Sequence, residues 1–196
     1  EVDGDPGLQA NLDRVNALSR ELNARVQATV AGLIGRGKLV GTVGGDHASV
    51  YGAIAAHAAA YPGLGILHID AHADLRVAYE GFEDSHASIM YNVMSRLPQV
   101  ARLVQVGLRD MSEDEVAIAR GSDGRIVMFT DPAISGRLFD GEPFNKIADA
   151  IVEALPREVY VSFDIDGLDP ALCPNTGTPV PGGLSFQQAV ALLSDR

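Results

Sequence analysis

Four aspartates and two histidines fall into three short clusters whose composition suits metal chemistry. The clusters are Gly44-Gly45-Asp46-His47, Asp70-Ala71-His72-Ala73-Asp74 and Asp164-Ile165-Asp166, the last running on into Gly167-Leu168-Asp169-Pro170. Each directly follows a short apolar run. In an extended segment, residues i, i+2 and i+4 share one side. Asp70, His72 and Asp74 are therefore expected to converge, and so are Asp164 and Asp166. Carboxylates held that close repel one another until one takes a proton or a cation intervenes. Charges behind a buried strand are costly unless paired or metal-bound. Asp169, ahead of Pro170, reads as a turn residue. His47 alone is a weaker signal, since one histidine after a Gly-Gly turn can cap or pack as readily as bind. The acid–His–acid cluster also admits a plainer reading, a polar turn with Asp70 as a cap. Taken together, the six side chains are more than one ion needs. They fit two cations about 3.5–4 Å apart with carboxylates between them. An oxygen-rich set with two imidazoles suits Mn2+, two per subunit, ahead of iron, cobalt, nickel or zinc.

Something must bring those clusters to one place. Leu8, Leu12, Val15, Leu18, Leu22, Val26, Val30 and Leu33 recur at steps of three and four, which predicts a helix over 8–34 stopped by Gly35 and Gly37. Leu39–Val43, Leu64–Ile69, Leu103–Val106, Ile126–Phe129 and Val159–Phe163 read as strands. Helices are expected at 48–60, 86–96, Phe144–Leu155 and Ser185–Leu193. Continuous apolar strands alternating with helices predict an α/β fold with a mainly parallel sheet covered on both faces. Open sheets of this kind bind ligands at the carboxyl ends of their strands, and all three clusters sit there. The segments 74–85 and 167–184 are long and irregular, as functional loops often are.

Composition narrows the class. The chain has 196 residues, 46% of them hydrophobic, enough for one catalytic domain over 1–196. A net charge of −11 with scattered Lys and Arg argues against nucleic acid as partner. An acidic surface suits a small cationic substrate instead. No apolar run approaches the roughly 20 residues that span a bilayer, so no membrane partner is expected. The start, Glu-Val-Asp-Gly-Asp-Pro, does not read as a signal peptide. The single Cys173 excludes an intrachain disulfide and reads as a partly buried thiol. These features point to a cytoplasmic protein.

The clusters resemble segments of the ureohydrolase family, which comprises arginase, agmatinase, guanidino-acid hydrolases and formiminoglutamase. The matching stretches are 44–47, 70–74, Ser-Phe-Asp-Ile-Asp-Gly-Leu-Asp-Pro over 162–170, and Thr176-Gly-Thr-Pro-Val-Pro-Gly-Gly183. The resemblance implies an arginase/deacetylase-like three-layer α/β/α fold with a binuclear manganese site. It assigns His47 and Asp74 to one metal, His72 and Asp166 to the other, and Asp70 and Asp164 to both. It implies attack on a guanidino or amidino carbon by water activated between the metals, with Asp74 sharing in proton transfer. His86 would donate the proton to the leaving amine; its alternative is a helix-start residue behind Ser85. Thr178 would lie near the substrate's nitrogens. His57 and His68 match nothing and are expected to pack or to support, His68 near the site because it alternates with Asp70. The family commonly forms trimers or hexamers, so a homo-oligomer is implied. It also continues past the last helix here into a further strand, so C-terminal strand(s) and part of the N-terminus are expected beyond this stretch.

Two departures bear on substrate. Arg76 stands where an arginase typically carries Asn, and Ser112 stands where arginase supplies a carboxylate near the substrate's ammonium, so the resemblance makes both candidate substrate contacts. Both weaken arginine. Arg76 could clamp a substrate carboxylate, or pair with Glu80, Glu83 or Asp84. The leading expectation is an agmatinase-like activity, agmatine to putrescine and urea. Formiminoglutamase, arginase and guanidino-acid hydrolase are alternatives, and a zinc deacetylase-like amidohydrolase or a non-catalytic pseudoenzyme is more remote.

Overall fold

The computed structural model describes residues 6–194, so the Glu1–Asp5 start lies outside it. The chain divides into two compact units. One comprises residues up to Pro62 together with Asp74–Gln99, the other Gly63–Ala73 together with the chain from Val100 onward.

The first unit is helical. α1 spans Pro6–Ile34, a 3-10 turn at His47–Val50 leads into α2, Tyr51–Ala60, and another at His86–Ser88 leads into α3, Ile89–Arg96. The apolar stripe of α1 is only partly used. Leu12 and Val30 are buried, together with Asn16 and Asn23, while Leu8, Val15, Leu18 and Leu22 are exposed. The reason lies in what α1 packs against. Asn16 donates from Nδ2 to the Gly81 carbonyl at 3.1 Å and accepts the Glu83 N–H at 3.1 Å, so a polar position on the helix anchors the irregular loop. Gly52 of α2 faces α1 so closely that a Cβ would stand 2.3 Å from the Asn23 carbonyl oxygen. Asp84, on the same loop, is held by Arg96 at 2.9 Å.

The second unit carries the sheet. Its strands are β1 (Gly65–Ile69), β2 (Arg102–Leu108), β3 (Ile126–Thr130) and β4 (Val159–Phe163), all parallel in the order β3-β2-β1-β4. Its helices are α4 (Glu113–Arg120), α5 (Asp131–Phe139), α6 (Phe144–Glu153) and α7 (Phe186–Leu193). A parallel sheet with flanking helices is the three-layer α/β/α class expected. Leu67 and Ile69 of β1 and Val104 and Val106 of β2 share one face with Ile134 of α5, Ile147 and Ile151 of α6, and Leu192 of α7. The alternate residues, Ile66 and His68 of β1 and Leu103 and Gln105 of β2, point the other way and are equally buried.

Three expectations need correction. Leu39–Val43 forms no strand: it pairs with none of the described strands, and Leu39 and Val43 are fully exposed. Apolar β-branched content gives propensity, but a strand exists only through a neighbour's N–H and C=O groups. β4 is not covered on both faces, since Val159, Val161 and Phe163 are exposed. Helices α4 and α5 were not anticipated. Both carry legible start signals: Ser112 and Glu115 form a reciprocal capping box, and Thr130 caps a turn with Pro at its start.

That capping box gives Ser112 a structural role. Its hydroxyl donates to Glu115 Oε2 at 2.8 Å and accepts the Glu115 N–H at 3.3 Å. Its own N–H donates to the same carboxylate at 2.9 Å. The hydroxyl expected to read substrate is thus engaged by the helix start. Ser112→Ala is expected to lower stability by about 0.5–2 kcal/mol in denaturant unfolding while leaving KM unchanged. A raised KM with unchanged stability would return Ser112 to the substrate.

Candidate metal centre

In the second unit the candidate ligands stand just past the ends of β1 and β4. The ladder continues beyond the strands. Asp70 N–H donates to the Val106 carbonyl at 3.1 Å, and Asp164 N–H donates to the Ile69 carbonyl at 2.8 Å. Ala71 offers its carbonyl to Arg109 N–H at 2.8 Å and its N–H to Asp166 Oδ1 at 3.0 Å. The two acidic segments can approach this closely because Gly167 lacks a side chain: a Cβ there would stand 2.8 Å from Asp70 N. Gly183 in turn runs against Gly167 with φ +98°, a conformation that favours glycine.

This framework sets a carboxylate on either side of His72. His72 Nδ1 lies 3.3 Å from Asp70 Oδ1 and 3.2 Å from Asp166 Oδ2. One ligand atom from each of the three residues lies within 4.8 Å of the others. Asp70 and Asp166 are buried. The Asp166 hydrogen bond, then the Asp70 hydrogen bond, push the imidazole up to about 10 against the opposing effect of burial. Without a metal, the pair of carboxylates therefore holds a proton between them. A divalent cation is a fitting replacement, because it neutralises both acids and is ligated by neutral imidazole. Asp164 is not one of these three gathered groups. Its Oδ1 accepts the Asp166 N–H at 3.1 Å and so shapes the turn at Ile165–Gly167.

In the first unit His47 Nδ1 lies 2.9 Å from Asp74 Oδ2, with both side chains under a tenth exposed. Asp46 caps the turn behind His47, accepting the Ala48 N–H at 2.8 Å. Asp74 departs from the extended reading of its cluster. Its φ is +53°, an uncommon conformation for a residue with a side chain, and its carbonyl accepts the N–H groups of Met90 and Tyr91 at the start of α3. Alternation therefore holds for Asp70 and His72 but ends before Asp74, where the backbone turns away to cap a helix.

The remaining candidates differ in fate. His86 is half exposed, with Nδ1 4.0 Å from Asp46 Oδ2 and its ring edge-on to Tyr79 at 5.7 Å. Ser85 caps the turn it begins, accepting the Ala87 N–H at 3.1 Å, and that contact leaves the His86 ring unused. His86 also opens on a cavity of about 390 Å³ lined by Asp46, Glu80, Asp84, Val15 and Leu22. Arg76 is exposed and lies over the Tyr79 ring at 5.4 Å, while Glu83 pairs with Arg20 and Asp84 with Arg96. Thr178 is exposed in the irregular segment. His57 bonds the Ala53 carbonyl of its own helix at 2.8 Å.

Sequence reasoning overlooked Arg109. Its guanidinium donates to the carbonyls of Gly107, Asp166, Leu168 and Val180, with Asp166 at 2.7 Å. It ties the irregular segment after β4 to the turn that carries a candidate ligand. A cation bonded only to backbone leaves no partner residue to recognise in sequence. His68 is fully buried with Nε2 2.9 Å from Asp70 Oδ2, a contact its alternation with Asp70 had suggested.

The His72 environment has a pH consequence. A histidine whose pKa is raised on folding stabilises fully below its ordinary value of 6.5, and that contribution is lost as pH climbs towards 10. The metal-free protein is therefore expected to lose stability across this window. Metal uptake near pH 7.5 is expected to release about one proton from His72, measured by calorimetry in buffers of different ionisation enthalpy. Metal uptake without proton release would contradict the arrangement.

Comparison with known proteins places the chain among relatives. The Arginase family model matches residues 7–195. The N(1)-aminopropylagmatine ureohydrolase of Thermus thermophilus is 41% identical over 157 residues, covering 80% of this chain and 50% of the relative. The agmatinase of Cronobacter sakazakii is 33% identical over 178 residues, covering 89% of this chain and 53% of the relative. The arginase crystal structure from Bacillus subtilis superposes with a TM-score of 0.78 at 27% identity, covering 93% of this chain and 66% of that one. The chain spans about half the length of the curated relatives it matches. With nearly its whole length matched, the chain belongs to the arginase family.

Proposed function

We propose that the full protein is a binuclear manganese hydrolase that cleaves a C–N bond of a linear guanidino compound, with agmatine-like substrates favoured. The observation that carries this reading is the Asp70–His72–Asp166 cluster, in which two buried carboxylates flank one imidazole. His47 and Asp74 would hold one ion, His72 and Asp166 the second, and Asp70 and Asp164 both. Bound there, two divalent ions would supply Lewis-acid activation of water at neutral pH.

The chain's own residues supply the rest. His86 is accessible and opens on a cavity lined by Asp46, Glu80 and Asp84. Those acids suit a cationic substrate. Water adds to the guanidino carbon, the bond from that carbon to the alkyl-bearing nitrogen breaks, and His86 gives its proton to the departing amine. Agmatine and water thus become putrescine and urea. The names of the Thermus and Cronobacter relatives support an agmatine-type skeleton. Arg76 and Thr178 remain substrate candidates at exposed positions. Assembly into a trimer or hexamer goes with the same reading.

The test is urea release by the full-length protein from agmatine, N1-aminopropylagmatine, arginine, guanidinobutyrate and guanidine, with formamide release followed for formiminoglutamate. Urea from the agmatine-type compounds is expected; release of formamide from formiminoglutamate alone would overturn the substrate class. His86→Asn is expected to retain both metals while turnover falls roughly 10²–10⁴-fold, the usual size of a lost general acid. Loss of metal, or unchanged turnover at neutral pH, would remove His86 from this role.

A further inference from the structure

Behind the Asp70 carboxylate lies a buried polar chain that a ligand inventory does not include. His68 and Gln105 sit directly opposite each other in the β1–β2 register, and both are 0% exposed. Gln105 Nε2 lies 2.7 Å from the Ala73 carbonyl oxygen and 2.9 Å from His68 Nδ1. His68 Nε2 lies 2.9 Å from Asp70 Oδ2.

The proton positions follow from one fixed group. The Ala73 carbonyl can only accept, so the Gln105 amide must present its NH2 there. The NH2 carries two protons. One goes to Ala73 and the other faces His68 Nδ1, which must then be the unprotonated ring nitrogen. The His68 proton therefore sits on Nε2 and points at Asp70 Oδ2. Gln105 Oε1, meanwhile, is buried with no hydrogen-bond partner among the described residues. A leucine or methionine would fill the same space without that unsatisfied acceptor. What the amide adds over an apolar side chain is its pair of donors.

We propose that Gln105 and His68 are positioning residues: Gln105 locks His68 in its Nε2–H tautomer, and His68 orients the Asp70 carboxylate towards the metal. This rests on the reading of Asp70 as a metal ligand. His68 engages Oδ2 while the His72 N–H engages Oδ1 at 2.7 Å, so both oxygens are set before an ion arrives. Supporting bonds of this kind typically change metal affinity 10–100-fold.

The test uses the full-length protein with 15N-labelled histidine, first without metal. The His68 nitrogen shifts should report Nε2–H in the wild type and a mixed or altered state in Gln105→Met, which keeps the volume. The Mn2+ Kd, by calorimetry, should rise about 10–100-fold in Gln105→Met and in His68→Leu. His68→Gln should recover much of the loss, because its amide can accept from Gln105 and donate to Asp70. Circular dichroism checks that each variant folds, and Gln105→Leu serves if Gln105→Met does not. An Nδ1–H tautomer in the wild type, or an unchanged Kd in a folded Gln105 variant, would overturn the proposal. A wild type with the Nε2–H tautomer but no Mn2+ binding would instead overturn the metal reading, and the role assigned to Asp70 with it.

Discussion

Like charges crowded at one edge of a parallel sheet set the problem that the second unit is built to solve. Asp70 and Asp166 are buried and both lie within 3.3 Å of the same imidazole nitrogen. Two unpaired carboxylates at that spacing would drive the chain apart or force one to take up a proton. In the metal-free protein His72 answers by holding its proton up to about 10. A divalent ion would answer the same repulsion by neutralising both carboxylates and leaving the histidine neutral. The stability of this strand edge and the metal affinity proposed for it would then be two aspects of one electrostatic constraint.

The surrounding structure maintains that crowding. Gly167 allows the β4 turn to press against the Asp70 backbone, and Gly183 allows the later segment to press against Gly167. Arg109 binds the carbonyls of Asp166, Leu168 and Val180, holding the turn and the irregular segment with one rigid fork. The helix cluster of Ile134, Ile147, Ile151 and Leu192 packs one face of β1 and β2, while the buried row of His68 and Gln105 occupies the other. In the first unit, the left-handed turn at Asp74 both aims its carboxylate at His47 and caps α3 through its carbonyl. Strain at one residue thus serves a helix start and a candidate ligand together.

The acid–histidine clusters were legible because residue type at fixed short spacing marks them. β1, β2, β3 and β4 were legible because parallel strands require continuous apolar runs. What escaped notice depends on partners distant in sequence. Gln105 reads as a polar interruption of a strand until the register places it beside His68. Among the described residues the Arg109 guanidinium bonds to carbonyls, which every residue has. Leu39–Val43 has the composition of a strand but no described strand beside it. Asp74 broke the alternation because a backbone turn outranks side-chain periodicity. Ser112 carries a structural task that was legible in the sequence: with Glu115 three residues on, it spells a capping box.

A pair of divalent ions is the proposed answer to this charge problem. Metal counting by mass spectrometry on the full-length protein, saturated with Mn2+ and freed of excess, tests it directly. Two ions per chain are expected, falling to one or none in Asp166→Asn. Saturation at a single ion in the wild type, or a count unchanged by Asp166→Asn, would contradict it.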